Sequence, residues 1–429
     1  MDFARADGSI AECFLRFDPS DPELTKDPWT LQREATVYVA LQGTPVPVPR
    51  VLGVHPVRQA MLSERVEGET WFSRIADPAE AESTARAFMA ALAALHSLNP
   101  AALDLGSLAP VESVRQAAVA QIDEMQDVLD RRGGPVDPAL VFTLGWLRRH
   151  VPTHDGPVVL VQGDTGPGNF MYAGGQVTAV VDWELAHLGD PMDDIAWLTL
   201  RATQEPFTDL AARLREYEEL TGNIVDEGRV TYYRVLAEAK IQVMGHRGGR
   251  TDGSPAEGDD HGSDHAGRDA GNAFIYAVLH RRLWLEALAA ATGAVFEPVP
   301  PLVRRAPRGS HWMYDAVLAQ LREVIVPRTS DPLAAARAKG VARLVKYLAQ
   351  VDMYGDDAEA QEVADLSELL GQPVADLAQG RERAAEAVER GEVTDADYVR
   401  ALWRRVARET ELARPAMGVL ADRHWPDLR

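Results

Sequence analysis

Cysteine is almost absent. Cys13 is the only one in 429 residues, so neither an internal disulfide nor a thiolate metal cluster can form, and within its apolar run it reads as a packing residue. Long hydrophobic runs are missing too. No stretch approaches the roughly 20 apolar residues that cross a bilayer, and Met1-Asp2-Phe3-Ala4-Arg5 lacks a basic region followed by a hydrophobic one. A cytoplasmic protein without a membrane partner is expected. Positive charge is scarce: 44 Lys and Arg stand against 65 Asp and Glu, a net charge of −21. Non-specific nucleic-acid binding needs cations that neutralise phosphates, so this balance argues against it and instead describes a well-solvated surface.

What is present is a globular composition, with 46% apolar residues, and a length that exceeds one simple core and suggests two or three domains. The most informative stretch is Val158-Val159-Leu160-Val161-Gln162-Gly163-Asp164-Thr165-Gly166-Pro167-Gly168-Asn169-Phe170, followed by Val177-Thr178-Ala179-Val180-Val181-Asp182-Trp183-Glu184. An apolar β-branched run ends at an acid, a Gly/Pro-rich turn carries an Asn five residues on, and a second apolar run ends at another acid. The spacing lets Asp164, Asn169 and Asp182 converge at one edge of a hairpin. Such a set suits phosphoryl transfer, in which one carboxylate orients or deprotonates an attacking hydroxyl while an amide oxygen and a second carboxylate hold magnesium against nucleotide phosphates. Singly, each acid would read as a turn or cap residue. Asp190-Pro191 with Asp193 does read so, as the N-cap and first turn of a helix, and Glu184 is read as a supporting hydrogen-bond partner.

The order Asp164, Asn169, Asp182 resembles the Brenner motif and following metal-binding Asp of the aminoglycoside phosphotransferase-like kinases. Asp182-Trp183-Glu184-Leu185-Ala186-His187-Leu188-Gly189-Asp190-Pro191 and Asp193-Asp194-Ile195-Ala196-Trp197-Leu198 are similar to segments of the kinase-like domains fused to some acyl-CoA dehydrogenases. The resemblance covers roughly residues 1 to 325. It implies Asp164 as catalytic base, Asn169 and Asp182 as Mg2+ ligands, and ATP or possibly GTP as donor. One departure is Gln162, where the family usually has a His that organises the loop.

Kinases hold nucleotide phosphates with a strand cation oriented by a helix Glu, and the candidates are Arg16, in place of the usual Lys, and Glu34. Phe3-Ala4-Arg5, a turn at Asp7-Gly8 and Ile10 to Arg16 read as a β-hairpin, and Thr30 to Leu41 as a helix. Ala60 to Thr70 matches the strand and hinge between lobes, where an adenine would bond to the backbone of Glu64 to Val66. Met1 falls almost on the first strand, so a phosphate-covering loop ahead of it is expected to be missing, with an open small lobe and poor nucleotide affinity.

Pro78 to Ser97, with Phe88, Leu92 and Leu95 at helical spacing, is expected as a buried helix, and His96 as a core or helix-end histidine. Between Gly245 and Asn272, glycines interleave with Asp259, Asp260, His261, Asp264 and His265, and the composition reads as a mobile loop rather than a metal site. Helices around Tyr232 to Met244 and Ala273 to Thr292 carry mainly core aromatics. Beyond residue 328 the chain reads as wholly helical, with a stripe of Leu344, Tyr347, Leu348 and Val351, a capping box at Thr394 to Asp397, and a face of Tyr398, Leu402 and Val406.

The expected architecture is an α+β, bilobal, protein-kinase-like fold. A β-rich N-lobe, truncated at its start, covers 1–67, a mainly helical C-lobe 68–327, and an all-helical domain 328–429 that packs on the kinase lobe or forms a homodimer. The expected function is Mg2+- and nucleotide-dependent phosphorylation of a hydroxyl on a small molecule, with an amino sugar or a hydroxyacyl compound as acceptor. Gln162 and Arg16 motivate an alternative, a nucleotide-binding pseudokinase or scaffold. A metal-dependent hydrolase is disfavoured because no histidines cluster near Asp164.

Overall fold

A computed structural model describes residues 2–4, 10–18, 28–106, 108–246 and 269–429. The turn expected at Asp7-Gly8 and the cluster from Asp259 to His265 lie outside the described residues. The chain divides into two compact units, one of residues 1–134, 147–263 and 425–429, the other of 135–146 and 264–424.

In the first unit, β1 (Asp2–Ala4) and β2 (Ile10–Phe17) pair antiparallel with Phe3 opposite Ala11, as the hairpin reading requires. Helix α1 (Leu31–Leu41) starts at Thr30, whose hydroxyl accepts from the Arg33 N–H, and β3 (Val51–Val54) and β4 (Ala60–Glu64) complete a sheet in the order β1-β2-β4-β3. Gln59 ties helix to sheet by accepting from the Leu31 N–H at 2.8 Å. Cys13 is buried, as a packing residue should be.

The helical part of this unit opens with α2 (Pro78–Ser97), capped by Asp77 with Pro78 in its first turn, and its Phe88, Leu92 and Leu95 are buried. Next come α3 (Val114–Arg132) and α4 (Pro138–Arg149), the latter beginning in the second unit. Four short strands follow: β5 (Val159–Val161), β6 (Phe170–Ala173), β7 (Gln176–Val180) and β8 (His187–Gly189). They form two separate antiparallel pairs, β5 with β8 and β6 with β7. The expected hairpin is therefore corrected: the run that ends at Asp164 pairs with β8, because the Gly/Pro turn after Asp164 redirects the chain before β6 begins. Phe88 stacks on Phe170 with ring centroids 4.5 Å apart, which fixes α2 against the β6–β7 hairpin. Helices α5 (Pro191–Gln204), α6 (Leu210–Thr221) and α7 (Glu227–Gly245) complete the unit, with α5 packed on α7 and α6 on α2.

The second unit holds α8 (Ala270–Thr292), α9 (Trp312–Gln320), α10 (Pro332–Leu370), α11 (Leu377–Glu389) and α12 (Asp395–Met417). Helix α8 packs against both α10 and α12. The division of the chain thus differs from the boundary expected at residue 328: the apolar face of α8, with Ile275, Leu279 and Leu283 fully buried, shares its core with the helices beyond 328. Thr394 accepts from the Asp397 N–H, and Tyr398, Leu402 and Val406 are buried; of the other stripe, Leu348 is exposed. No described helix is long and apolar enough to cross a membrane.

Candidate active site

Strand β5 delivers Gln162-Gly163-Asp164 into a loop built on buried polar bonds. Gly163 has φ +83, and a Cβ there would lie 2.5 Å from the Leu185 carbonyl oxygen, so the close approach of the two segments requires glycine. Gln162 is 1% exposed and bonds on every side. Its Nε2 donates to the Val181 and Asp182 carbonyls at 3.1 and 2.8 Å, while its Oε1 accepts from the Asp164 N–H and the Thr165 hydroxyl at 3.0 Å each. The amide thus staples the Asp164 loop to the Asp182 segment, which is the organising task the resemblance gives to a His. Beneath it, buried Asp194 on α5 accepts from the N–H groups of Gln162 and Gly163 at 2.9 Å, from the Thr165 hydroxyl, and from His96 Nε2 at 2.9 Å. Burial alone would raise the Asp194 carboxyl, but the bonds from His96, Thr165 and Gly163 hold it below the usual carboxylate range. His96 completes the stack through Nδ1 and the Tyr217 hydroxyl, 2.7 Å apart.

The Asp164 carboxylate meets two partners. Asn169 Nδ2 lies 2.7 Å from both its Oδ2 and its main-chain oxygen, and Arg201, in the last turn of α5, grips it with Nε 2.7 Å from Oδ1 and Nη2 against Oδ2. Burial pushes the Asp164 carboxyl up, and Arg201 opposes the rise. Because both neighbours of the Asn169 amide nitrogen are acceptors, its Oδ1 is the atom left for a cation.

Asp182 follows β7 with φ +67, a left-handed conformation that an acid tolerates better than a branched residue. Arg16 on β2 reaches it across the cleft: Nη1 lies 2.7 Å from Glu34 Oε1, and Nη2 lies 2.9 Å from Asp182 Oδ1 and 3.0 Å from Glu184 Oε2. The expected pair of Arg16 and Glu34 therefore meets, and Glu184 is the supporting partner, though of Arg16. Glu34 is fully buried on α1, and burial raises its carboxyl despite Arg16. Glu184 is pushed up to about 8, by burial first and then by Asp182. For Arg16, burial works against the charged form, yet the three carboxylates outweigh it and the net shift is upward.

At the hinge, the Glu64 N–H donates to the Arg50 carbonyl at 2.9 Å and the Arg65 N–H to the Glu12 carbonyl at 3.2 Å. Among the described residues no partner takes the Val66 N–H. The Glu64 side chain faces outward to Arg50.

Among the described residues no group of three His, Cys, Asp or Glu is arranged to hold a metal by itself. Mg2+ keeps several waters and takes one or two carboxylates plus substrate phosphates. The residues that could serve are Asn169, through Oδ1, and Asp182. Sequence reasoning missed Arg201 and Asp194. Asp194 could have been suspected from its charge inside an apolar helix pattern, Ile195, Ala196, Trp197 and Leu198; Arg201 carried no such signal.

The sequence profile of the phosphotransferase enzyme family matches residues 2–232. Acyl-CoA dehydrogenase family member 11 of Pongo abelii is 27% identical over 190 residues, which cover 40% of this chain but only 23% of that protein. Among solved structures, one from Ralstonia eutropha described as an aminoglycoside phosphotransferase is 24% identical, with a TM-score of 0.43 over 55% of this chain and 80% of its own. An aminoglycoside phosphotransferase mutant in ternary complex with AMP-PNP and hygromycin B is 17% identical, with a TM-score of 0.40 over 56% of this chain and 83% of its own. The profile match spans more than half of the chain and contains the loop, the Arg16 cluster and the hinge, and by it the chain belongs to the phosphotransferase enzyme family.

Proposed function

We propose that this phosphotransferase moves the γ-phosphoryl group of ATP, or of GTP, to a hydroxyl of a small molecule. The observation that carries the reading is the meeting of Arg16, Glu34, Asp182 and Glu184 at one point. The bonded pair of Asp164 and Asn169 is joined to that corner through Gln162. Arg16, oriented by Glu34, would contact the nucleotide phosphates, and the backbone of Glu64 to Val66 would receive the base. Asn169 and Asp182 would hold Mg2+, which when bound neutralises charge on the phosphates. Asp164 would act on the acceptor. The hydroxyl oxygen bonds to the γ-phosphorus, the bond from phosphorus to the β–γ bridging oxygen breaks to release the nucleoside diphosphate, and the hydroxyl proton passes to Asp164. Amino sugars and hydroxyacyl compounds are the acceptor classes we put forward.

A metabolite library with Mg2+ and ATP, read as acceptor-dependent ADP formation, tests the reading. With an acceptor in hand, Asp164→Ala should bind nucleotide nearly as the native chain does and lose about 10²-fold or more in transfer rate. Retained transfer by Asp164→Ala would point to another base.

A further inference from the structure

The neighbours of Asp164 divide its oxygens unequally. A carboxylate offers about two acceptor sites on each oxygen. Among the described residues, Oδ2 accepts from both Asn169 Nδ2 and Arg201 Nη2, and Oδ1 accepts only from Arg201 Nε. One site on Oδ1 is left, and the fork decides where it points. Asn169 alone would hold the carboxylate at one point, about which it could swing.

The chain is shaped to let this fork in. Gly166 has φ +138, a backbone conformation that side chains rarely adopt, and a Cβ on it would lie 2.6 Å from the Cβ of Arg201 and 3.5 Å from the Leu198 Cα. Any other residue would push α5 and its arginine away from the loop. A lysine at position 201 would bring a point charge without the two parallel donors.

We infer that Arg201 is a positioning residue of the transfer site, whose two-point grip aims the remaining Oδ1 lone pair of Asp164 at the acceptor hydroxyl. The inference rests on Asp164 as the group that receives the acceptor proton. Arg201 acts through the Asp164 carboxylate that it grips, so its removal should separate turnover from nucleotide binding.

The test uses the full chain, Mg·ATP hydrolysis with water as acceptor, AMP-PNP binding by calorimetry, and crystal structures. Arg201→Ala should lower the hydrolysis rate about tenfold to 10²-fold, the scale of a small misplacement of a reacting group, with AMP-PNP affinity within about twofold of native. Arg201→Lys should restore little of the rate. Guanidinium chloride at low millimolar concentration should restore part of it to Arg201→Ala and none to Arg201→Lys. The crystal structure of Arg201→Ala should show the Asp164 carboxylate turned away or in two orientations. An unchanged or faster rate with Asp164 in its native orientation would overturn the inference. So would a loss shared equally by rate and AMP-PNP affinity that guanidinium does not relieve. Asp164→Ala keeps the two failures apart: if it is inert while Arg201→Ala is unimpaired, only the role of Arg201 falls, whereas an active Asp164→Ala removes the base and this inference with it.

Discussion

Arg16 faces Glu34, Asp182 and Glu184 with a single positive charge, and burial with mutual repulsion raises the Glu34 and Glu184 carboxyls, so protonation removes part of the corner's negative charge. A bound cation would ease the same repulsion, and Asp182 is the carboxylate we propose to meet it. Asp182→Asn should keep the left-handed backbone, which Asn also tolerates, and should keep a hydrogen-bond acceptor for Arg16. Its expected effect is confined to magnesium: calorimetry with and without Mg2+ should find a metal-dependent gain in nucleotide affinity for the native chain and none for the variant. Equal gains in both would remove Asp182 from the metal site. Asp194 makes a different kind of prediction. Its carboxyl is held below the usual range in the folded protein, so its contribution to stability is complete above the unfolded value of about 3.9 and is lost as pH falls through the folded value. Asp194→Asn replaces an acceptor-only carboxylate with an amide whose NH2 faces some of the same donors and leaves them unpaired, at a cost of about 3–5 kcal/mol. Urea unfolding should therefore show a large gap between native and variant at pH 7 that narrows below about pH 4; a gap independent of pH would mean the charge is not what matters. Arg16 and Glu34 were legible in sequence because strand cation and helix acid each sit in a recognisable element. Arg201 was not. A basic residue in the last turn of a helix is already accounted for by the helix dipole, and nothing local reveals that it folds back 37 positions to Asp164.

Helix α5 joins the site to the core, and its start illustrates how local signals settle an element. Asp190 caps it by accepting from the Met192 N–H at 2.9 Å, with Pro191 following, as the sequence pattern predicts. The same carboxylate is fully buried and also takes His154 Nε2 at 2.8 Å and Arg229 Nη1 at 3.0 Å. A cap contributes about 1 kcal/mol, but removal of this one also strips two half-buried donors of their acceptor. Asp190→Ala should cost about 2–4 kcal/mol, and Asp190→Asn clearly less, because its Oδ1 still reaches the first turn. Thermal unfolding of the two variants would show the order, and equal losses would mean that the cap bond contributes nothing. Capping was readable because it depends on residues two or three positions apart. The pairing of β5 with β8 was not, since a three-residue strand such as His187-Leu188-Gly189 has too few positions to show an alternating pattern, and its partner lies 28 residues away. The hairpin expected in its place followed from spacing alone.

At the scale of the whole molecule, the helices beyond residue 328 are part of a core rather than an attachment to one. Helix α8 lies before that point, yet Ile275, Val278, Leu279, Leu283 and Trp284 are buried in a unit whose other principal helices are α10 and α12. Phe274 meets Tyr347 with ring centroids 4.5 Å apart, Phe296 stacks on Trp403 at 4.0 Å, and Arg281 places Nε 2.9 Å from Glu409 Oε2. A change from kinase-like to merely helical composition near residue 328 suggested a boundary, because composition reports what a segment resembles and not what it packs against. Residues 135–146 make the same point, since Phe142 stands edge-on to Tyr398 at 4.8 Å although more than 250 positions separate them. A chain ending at residue 328 would keep the profile-matched region intact but leave α8 without α10 and α12. Each uncovered aliphatic or aromatic side chain forfeits about 1.5–3 kcal/mol, and several together equal the whole net stability of a domain, about 5–15 kcal/mol. The expected outcome is a truncated protein that aggregates on expression or binds a hydrophobic dye strongly, and whose α8 region is cleaved rapidly by protease. A soluble, monomeric 1–328 fragment with the native melting temperature and a protected α8 would show instead that the boundary lies where the composition changes.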